Sequence, residues 1–313
     1  FKLTELMLHK KVVFMGTPEF SVPILESIYK SSYKVSCVYT QAPKKSNRGQ
    51  KINISPIHRC AEKLKLIIRS PKDLNSEEEF EFLKILNPDI VIVVAYGQLI
   101  SKKFLKIPKK GFINIHASLL PEWRGAAPIQ RSIMNSDSES GISIMKIVED
   151  LDAGPVMKQI KVLIDKSTTA DELSRSLSKI SSESIIETLD DIFNEKLKFT
   201  EQNHKLATYA KKIKKNEAEI DWNESAKKIL AKINGLNSNP GAWFMYNKIR
   251  YKIWRAKIIE KKGSPGTILD NNFVIACHDK SLEIIEIQKE GKIKLLLKDF
   301  LMGKNFKKGD DLK

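Results

Sequence analysis

Apolar and polar positions in the first half of the chain alternate between two periods. Residues 11–15 (Lys-Val-Val-Phe-Met) are a short apolar run that predicts a buried strand, and Gly16-Thr-Pro-Glu-Phe20 then turns into a helix. Residues 33–40 alternate as a strand, 57–64 have helical spacing, and 66–68 form a further short strand. A helix is predicted over 76–86, where Ser76 precedes Glu77, Glu78 and Glu79; buried strands are predicted over 89–95 and 111–116. Residues 42–54 are polar, basic and aperiodic, and read as a loop. Strands and helices alternating at this pace predict a doubly wound, mostly parallel α/β sheet.

After Gly141 the rhythm changes. Residues 142–148 and 156–164 read as two strands around Glu149-Asp-Leu-Asp-Ala-Gly154. Residues 168–193 read as one long amphipathic helix, started by Thr168 and Thr169 ahead of Asp171 and Glu172. Residues 194–206 are polar and read as a linker that should let residues 1–206 fold alone. Beyond 208, strand-like pieces recur at 249–254, 256–259, 266–269, 273–277, 282–288 and 292–297, and a helix is predicted over 222–233. The expected fold class is therefore α/β. A Rossmann-like sheet occupies residues 1–193, a linker 194–207, and a small OB-like β-barrel 208–313.

Length supports two domains, since 313 residues exceed one typical domain and suffice for a sizeable core. No apolar run approaches the ~20 residues that span a bilayer, and the first fifteen residues lack the pattern of a signal peptide. The chain starts on Phe1, so Met7 is a candidate start. Cys37, Cys60 and Cys277 are widely separated, which excludes a disulfide scaffold or a cysteine zinc module and suits a reducing, cytoplasmic setting. Net charge is +16, from 54 basic and 38 acidic residues. Residues 205–313 carry 24 Lys and Arg against 13 Asp and Glu, a net of +11, so the excess lies in the C-terminal third. That favours a polyanionic partner. The competing reading is a compositional lysine bias, because 46 of the 54 cations are Lys. Trp243, Tyr246, Tyr251 and Trp254, interleaved with cations, read as barrel core rather than base-stacking platforms.

The richest chemistry lies in Asn114-Ile-His116-Ala-Ser118-Leu-Leu-Pro121-Glu-Trp123-Arg124-Gly125-Ala-Ala-Pro128. Asn114 and His116 are two apart at the end of a predicted strand, so both lie on one face. The carboxyl ends of parallel strands are where open α/β sheets bind ligands. An amide and an imidazole aimed at one point can hold a developing oxyanion; a strand-end His satisfied by nearby backbone is the competing reading. Asp152 could fix the imidazole's tautomer and favour its protonated form, yet an Asp before Gly is also ordinary turn chemistry, and spacing alone does not pair it with His116. Gly16-Thr-Pro-Glu has Pro18 where a dinucleotide fingerprint needs its second Gly, which disfavours a nicotinamide enzyme.

Asn-x-His-x-Ser-Leu-Leu-Pro-x-Trp-Arg-Gly-Ala-Ala-Pro, followed by Leu151-Asp-Ala-Gly154, resembles the 10-formyltetrahydrofolate-dependent formyltransferases, and among them the methionyl-tRNA formyltransferases. Gly16-Thr-Pro-Glu-Phe20, Ala95-Tyr-Gly97 and Ile220-Asp-Trp222 fit as well. The resemblance runs from about Val12 to the C-terminal tail. It implies transfer of a formyl group from 10-formyltetrahydrofolate to initiator methionyl-tRNA, with Asn114, His116 and Asp152 as the catalytic set and no metal. It implies a folate site at Ser118, Leu119, Leu120 and Pro121, with Ala95, Tyr96 and Gly97 lining the pterin pocket. Arg48, with Lys45 and Lys51, would engage the tRNA acceptor end. Trp123 and Arg124 could serve as a packed anchor and an ion-pair partner. A monomer with no membrane segment is expected. A sugar-nucleotide or small-amine formyltransferase would not require the basic barrel. A catalytically dead RNA-binding protein would not need Asn114, His116 and Asp152.

Overall fold

The computed structural model describes residues 9–46, 51–196, 198–302 and 306–312. It divides into two compact units. The first comprises Phe1–Arg124, Gly141–Lys161 and Arg175–Tyr209, and the second Gly125–Ser140, Val162–Ser174 and Ala210–Lys313.

In chain order the first two-thirds form β1 (Lys11–Gly16), α1 (Val22–Tyr29), β2 (Lys34–Tyr39), β3 (Lys44–Ser46), β4 (Lys51–Asn53), α2 (Pro56–Lys63), β5 (Ile68–Arg69) and α3 (Glu77–Leu86). They continue with β6 (Ile90–Val94), α4 (Lys102–Leu105), β7 (Phe112–His116), β8 (Arg124–Gly125), α5 (Pro128–Met134), β9 (Glu139–Lys146), β10 (Val156–Leu163) and α6 (Ala170–Phe193). The large sheet has the order β10-β9-β7-β6-β1-β2-β5. Strands β5, β2, β1, β6 and β7 run parallel, and β9 returns antiparallel against β7. The chain starts mid-sheet, steps outward through β2 to β5, and resumes at β6 on the other side of β1. The strand order therefore reverses between β1 and β6, the kind of position where such sheets bind ligands. Every residue of β6 is buried and all are Val or Ile, as expected of a strand covered on both faces. Helix starts follow local chemistry: Ser76 Oγ caps α3 by accepting from the Glu79 amide, and Ser55 Oγ caps α2 by accepting from the His58 amide.

The second unit contains β12 (Trp243–Tyr246), β13 (Ile249–Ile259), β14 (Val274–Ala276), β15 (Ser281–Lys289) and β16 (Lys294–Leu296), with α7 (Ala226–Gly235) and α8 (Leu297–Leu301). The short strand β11 (Tyr209–Ala210) precedes them and pairs with β8. Strands β12-β13-β15-β14, with β16 beside β15, form an antiparallel half-barrel. Its core gathers Trp222, Ile229, Phe244, Tyr251, Ile253 and Ile284. Helix α5 packs on α7 in this unit. A Cβ on Gly235 would sit 2.5 Å from Met134 Cγ and 3.0 Å from the Gln130 carbonyl, so the close approach requires glycine.

Several elements differ from expectation. The loop over 42–54 contains a two-stranded ribbon, β3 with β4, held by backbone pairing that its polar side chains do not announce. The pieces at 249–254 and 256–259 are one strand, β13, whose register against β15 shifts between Ile253 and Ala256. Such an irregularity breaks the period-2 pattern without ending the strand. Residues 266–269 form isolated bridges rather than a strand. The helix expected at 222 begins at Ala226, because Asn223 turns back on Asp221 and Ser225 supplies the cap. Tyr251 lies in the core and Trp254 is buried, its Nε1 donating to Gln288 Oε1. Trp243 is half-buried under the Arg250 guanidinium.

Candidate active site

The carboxyl ends of β1, β6 and β7 deliver three segments to one edge of the sheet. After β1, Thr17 Oγ1 donates to the Tyr96 carbonyl at 2.8 Å. After β6, Ala95 (φ 50°) and Gly97 (φ 89°) both adopt left-handed backbone, and the Gly97 carbonyl accepts from Gln41 Nε2. The Tyr96 ring turns into the core among Val13, Met15 and Phe104, so this segment presents no aromatic face. At the end of β7 come Asn114 and His116, opposite Met145 and Ser143 of β9.

Asn114, His116 and Asp152 come together. Asn114 Nδ2 lies 3.5 Å from Asp152 Oδ1, and His116 Nδ1 lies 3.7 Å from Asp152 Oδ2. The other ring nitrogen, His116 Nε2, donates to the Trp123 carbonyl at 2.9 Å. Nε2 is thus hydrogen-bonded to the main chain, while Nδ1 has the Asp152 carboxylate within ion-pair range. The competing reading of His116, backbone satisfaction, accounts for one nitrogen only. Asp152 reaches this place from a turn in which its own φ is 48°, and Trp123 presents its carbonyl from φ 56°. Non-glycine residues held in left-handed backbone are costly and tend to mark functional sites. The turn is also closely packed: a Cβ on Gly154 would fall 1.9 Å from the Lys146 carbonyl.

The Ser118–Pro121 stretch is pinned from β9 and β10. Ser143 Oγ donates to the Ser118 carbonyl at 2.6 Å and accepts from the Leu120 amide at 2.9 Å. Gln159 Nε2 donates to both the Leu120 carbonyl and Ser143 Oγ at 2.8 Å. Ser118 Oγ closes the loop on the Glu122 carbonyl. A cavity of about 330 Å³ opens beside Leu120, Pro121, Met157, Gln159 and Gln202, and another of about 570 Å³ beside Gln41, Lys72, Gln98 and Leu99. Neither is lined by Asn114, His116 or Asp152. Arg124, expected as an ion-pair partner, instead donates to the Gln202 side-chain oxygen from Nε at 3.1 Å and Nη2 at 2.7 Å, and to His204 Nδ1 at 3.0 Å. Lys45 and Lys51 lie on the β3–β4 ribbon, whereas Arg48 lies outside the described residues. Among the described residues no group of three His, Cys, Asp or Glu could hold a metal ion, and no helix is long and apolar enough to cross a membrane.

Residues 10–189 match the formyl transferase family model and residues 212–305 the formyl transferase C-terminal domain. The methionyl-tRNA formyltransferase of Pelagibacter ubique is 53% identical over 302 residues, covering 96% of this chain and 97% of its own. The chain belongs to the methionyl-tRNA formyltransferase family. The counterpart from Brucella ovis is 43% identical over 95% of this chain and 99% of its own. An N-formyltransferase from Helicobacter canadensis shares the fold, with a TM-score of 0.67 at 20% identity over 88% of this chain and 99% of that one. Sequence reading did not single out Ser143, Gln159, Gln202 or Thr208, all of which bond to the segments that carry this formyltransferase's expected site. Their polarity was visible. What placed them there is strand pairing and loop return, which single-residue patterns do not carry.

Proposed function

We propose that this enzyme transfers the formyl group of 10-formyltetrahydrofolate to the α-amine of initiator methionyl-tRNA, in the cytoplasm, giving N-formylmethionyl-tRNA for translation initiation. The observation that carries the chemistry is the convergence of Asn114 and His116 on Asp152, with His116 offered an acceptor at each nitrogen. The amine nitrogen attacks the formyl carbon, a C–N bond forms, and the carbonyl electrons move onto oxygen. Asn114 Nδ2 can donate to that oxyanion, the charge of a protonated His116 stabilises it through space because both ring nitrogens face other oxygens, and Asp152 supports the imidazolium. Collapse breaks the bond to the folate N10, which takes up the proton the amine loses, with Asp152 as the group that helps move it. No covalent enzyme intermediate is required.

The donor's site is assigned to the Ser118–Pro121 loop and the main chain of Ala95, Tyr96 and Gly97. Backbone donors and acceptors at strand ends suit the hydrogen-bonding edge of a pterin, and Ala95 and Gly97 are exposed on either side of the buried Tyr96. The Helicobacter canadensis enzyme was crystallised with folinic acid, a formylated folate, and an amino-sugar nucleotide. For the present chain the acceptor is a charged tRNA, engaged by Arg48, Lys45 and Lys51 and by the basic residues of 205–313. The test is formyl transfer with methionyl-tRNA and, separately, an amino-sugar nucleotide as acceptor. Rapid formylation of the tRNA alone supports the proposal, and preference for the sugar amine overturns it.

A further inference from the structure

Residues 200–208 lie between the two family matches, which end at 189 and resume at 212. Their composition suggests a spacer, yet they bond repeatedly to the segments that hold His116. Thr200 exchanges both backbone hydrogen bonds with Val156 at 2.8 Å. Gln202, 8% exposed, donates from Nε2 to the Asp152 carbonyl at 2.8 Å and to the Gly154 carbonyl at 2.7 Å. Its oxygen accepts twice from Arg124, which is itself 4% exposed. A guanidinium has only donors, so it fixes which end of the carboxamide faces the turn. A flipped amide would set N–H against N–H and oxygen against two carbonyl oxygens. Thr208 acts on the other side: its Oγ1 accepts from the Trp123 amide at 2.8 Å, and its carbonyl accepts from the Arg124 amide at 2.9 Å.

These contacts reach both acceptors of His116. Gln202 holds the strained turn that presents the Asp152 carboxylate to Nδ1, and Thr208 holds the strained Trp123 residue whose carbonyl receives Nε2. We propose that residues 200–208 are a positioning element for formyl transfer, in which Gln202, oriented by Arg124, and Thr208 act through the His116 ring by setting its orientation. The proposal rests on the formyl-transfer reading above. Misplacing a reacting group by about 1 Å can cost on the order of 10²-fold in rate, so small changes here should appear in turnover rather than in binding.

Gln202→Glu tests one arm. The carboxylate keeps, and strengthens, the acceptor for Arg124, but it removes the two N–H bonds to the turn. The expected result is a folded protein whose kcat for methionyl-tRNA falls at least about tenfold, with KM for both substrates within about threefold. Thr208→Val tests the other arm at an exposed position. It should lower kcat similarly, and Thr208→Ser, which restores the hydroxyl, should recover most of the loss. His116→Ala, assayed in parallel, separates the two levels of the argument. A dead His116→Ala beside parental kcat in Gln202→Glu and Thr208→Val overturns the positioning role alone, whereas parental kcat in His116→Ala overturns the formyl-transfer reading beneath it. A raised KM for folate with unchanged kcat, or failure of Thr208→Ser to recover, also overturns the positioning role. If Gln202→Glu does not fold, the Thr208 pair decides.

Discussion

Asp152→Asn isolates the charge at the centre of the site. Asp152 Oδ2 lies 3.7 Å from His116 Nδ1, and the two side chains are 14% and 7% exposed. Two unit charges at that separation interact by roughly 4 kcal/mol at an effective dielectric of ~20, the scale that suits partly buried pairs. Asparagine keeps the shape and leaves the backbone carbonyl that Gln202 holds untouched. Folding stability should therefore move by less than about 1 kcal/mol, while stabilisation of the imidazolium is largely lost. At about 1.4 kcal/mol per tenfold change, turnover should drop by roughly 10²–10³-fold. The assay is single-turnover formylation of methionyl-tRNA at saturating donor, with donor binding and thermal melting measured on the same preparation. Turnover within about threefold of the parent, with donor binding intact, would refute the assignment of Asp152 and with it the imidazolium at His116.

Three further outcomes are expected. Gly154→Ala places a Cβ 1.9 Å from the Lys146 carbonyl, so the turn must shift; it should cost about 1–3 kcal/mol of stability, read from the melting temperature, and lower kcat at least ~10-fold. In the second unit, burial favours the neutral Glu172 carboxyl, but the Thr169 amide, the Arg255 guanidinium and the Thr169 hydroxyl outweigh it and hold its pKa at about 2. A depressed carboxylate contributes stability that is present above its ordinary value near 4.5 and lost as pH falls towards 2. With both side chains more than a third exposed, screening leaves about 1 kcal/mol, which Arg255→Ala should remove at pH 7 and not at pH 2. Finally, kcat/KM for methionyl-tRNA should fall steeply with salt, by roughly 0.7–0.9 log units per log unit for each phosphate contact, whereas folate binding should not; equal slopes would return the +11 of residues 205–313 to compositional bias.

Most of the sheet was legible because buried parallel strands are unbroken apolar runs; residues 11–15 and 89–95 could hardly be anything else. The Asn114–His116 pair was legible as two positions on one face at a strand end. Its partner was not, since only β7 pairing with β9 and the turn after β9 bring Asp152 back to His116. Strand β13 was read as two because a register shift mimics a break. Helices α4 and α5 have four and seven residues, too short for a helical period to declare itself. Residues 125–140 and 162–174 cluster with the C-terminal third, a long-range association that local pattern does not encode. A chain cut at 206 would lose α7, which packs on α5, and Thr208, which accepts from the Trp123 amide.

The most direct measurement is the acceptor preference of the full-length enzyme, supplied with 10-formyltetrahydrofolate and either methionyl-tRNA or an amino-sugar nucleotide. The account predicts N-formylmethionyl-tRNA formed at a kcat/KM at least ~10³-fold above that for the sugar amine, and abolished by His116→Ala. Formylation of the sugar with the tRNA left unmodified, or an undiminished rate in folded His116→Ala, would contradict it.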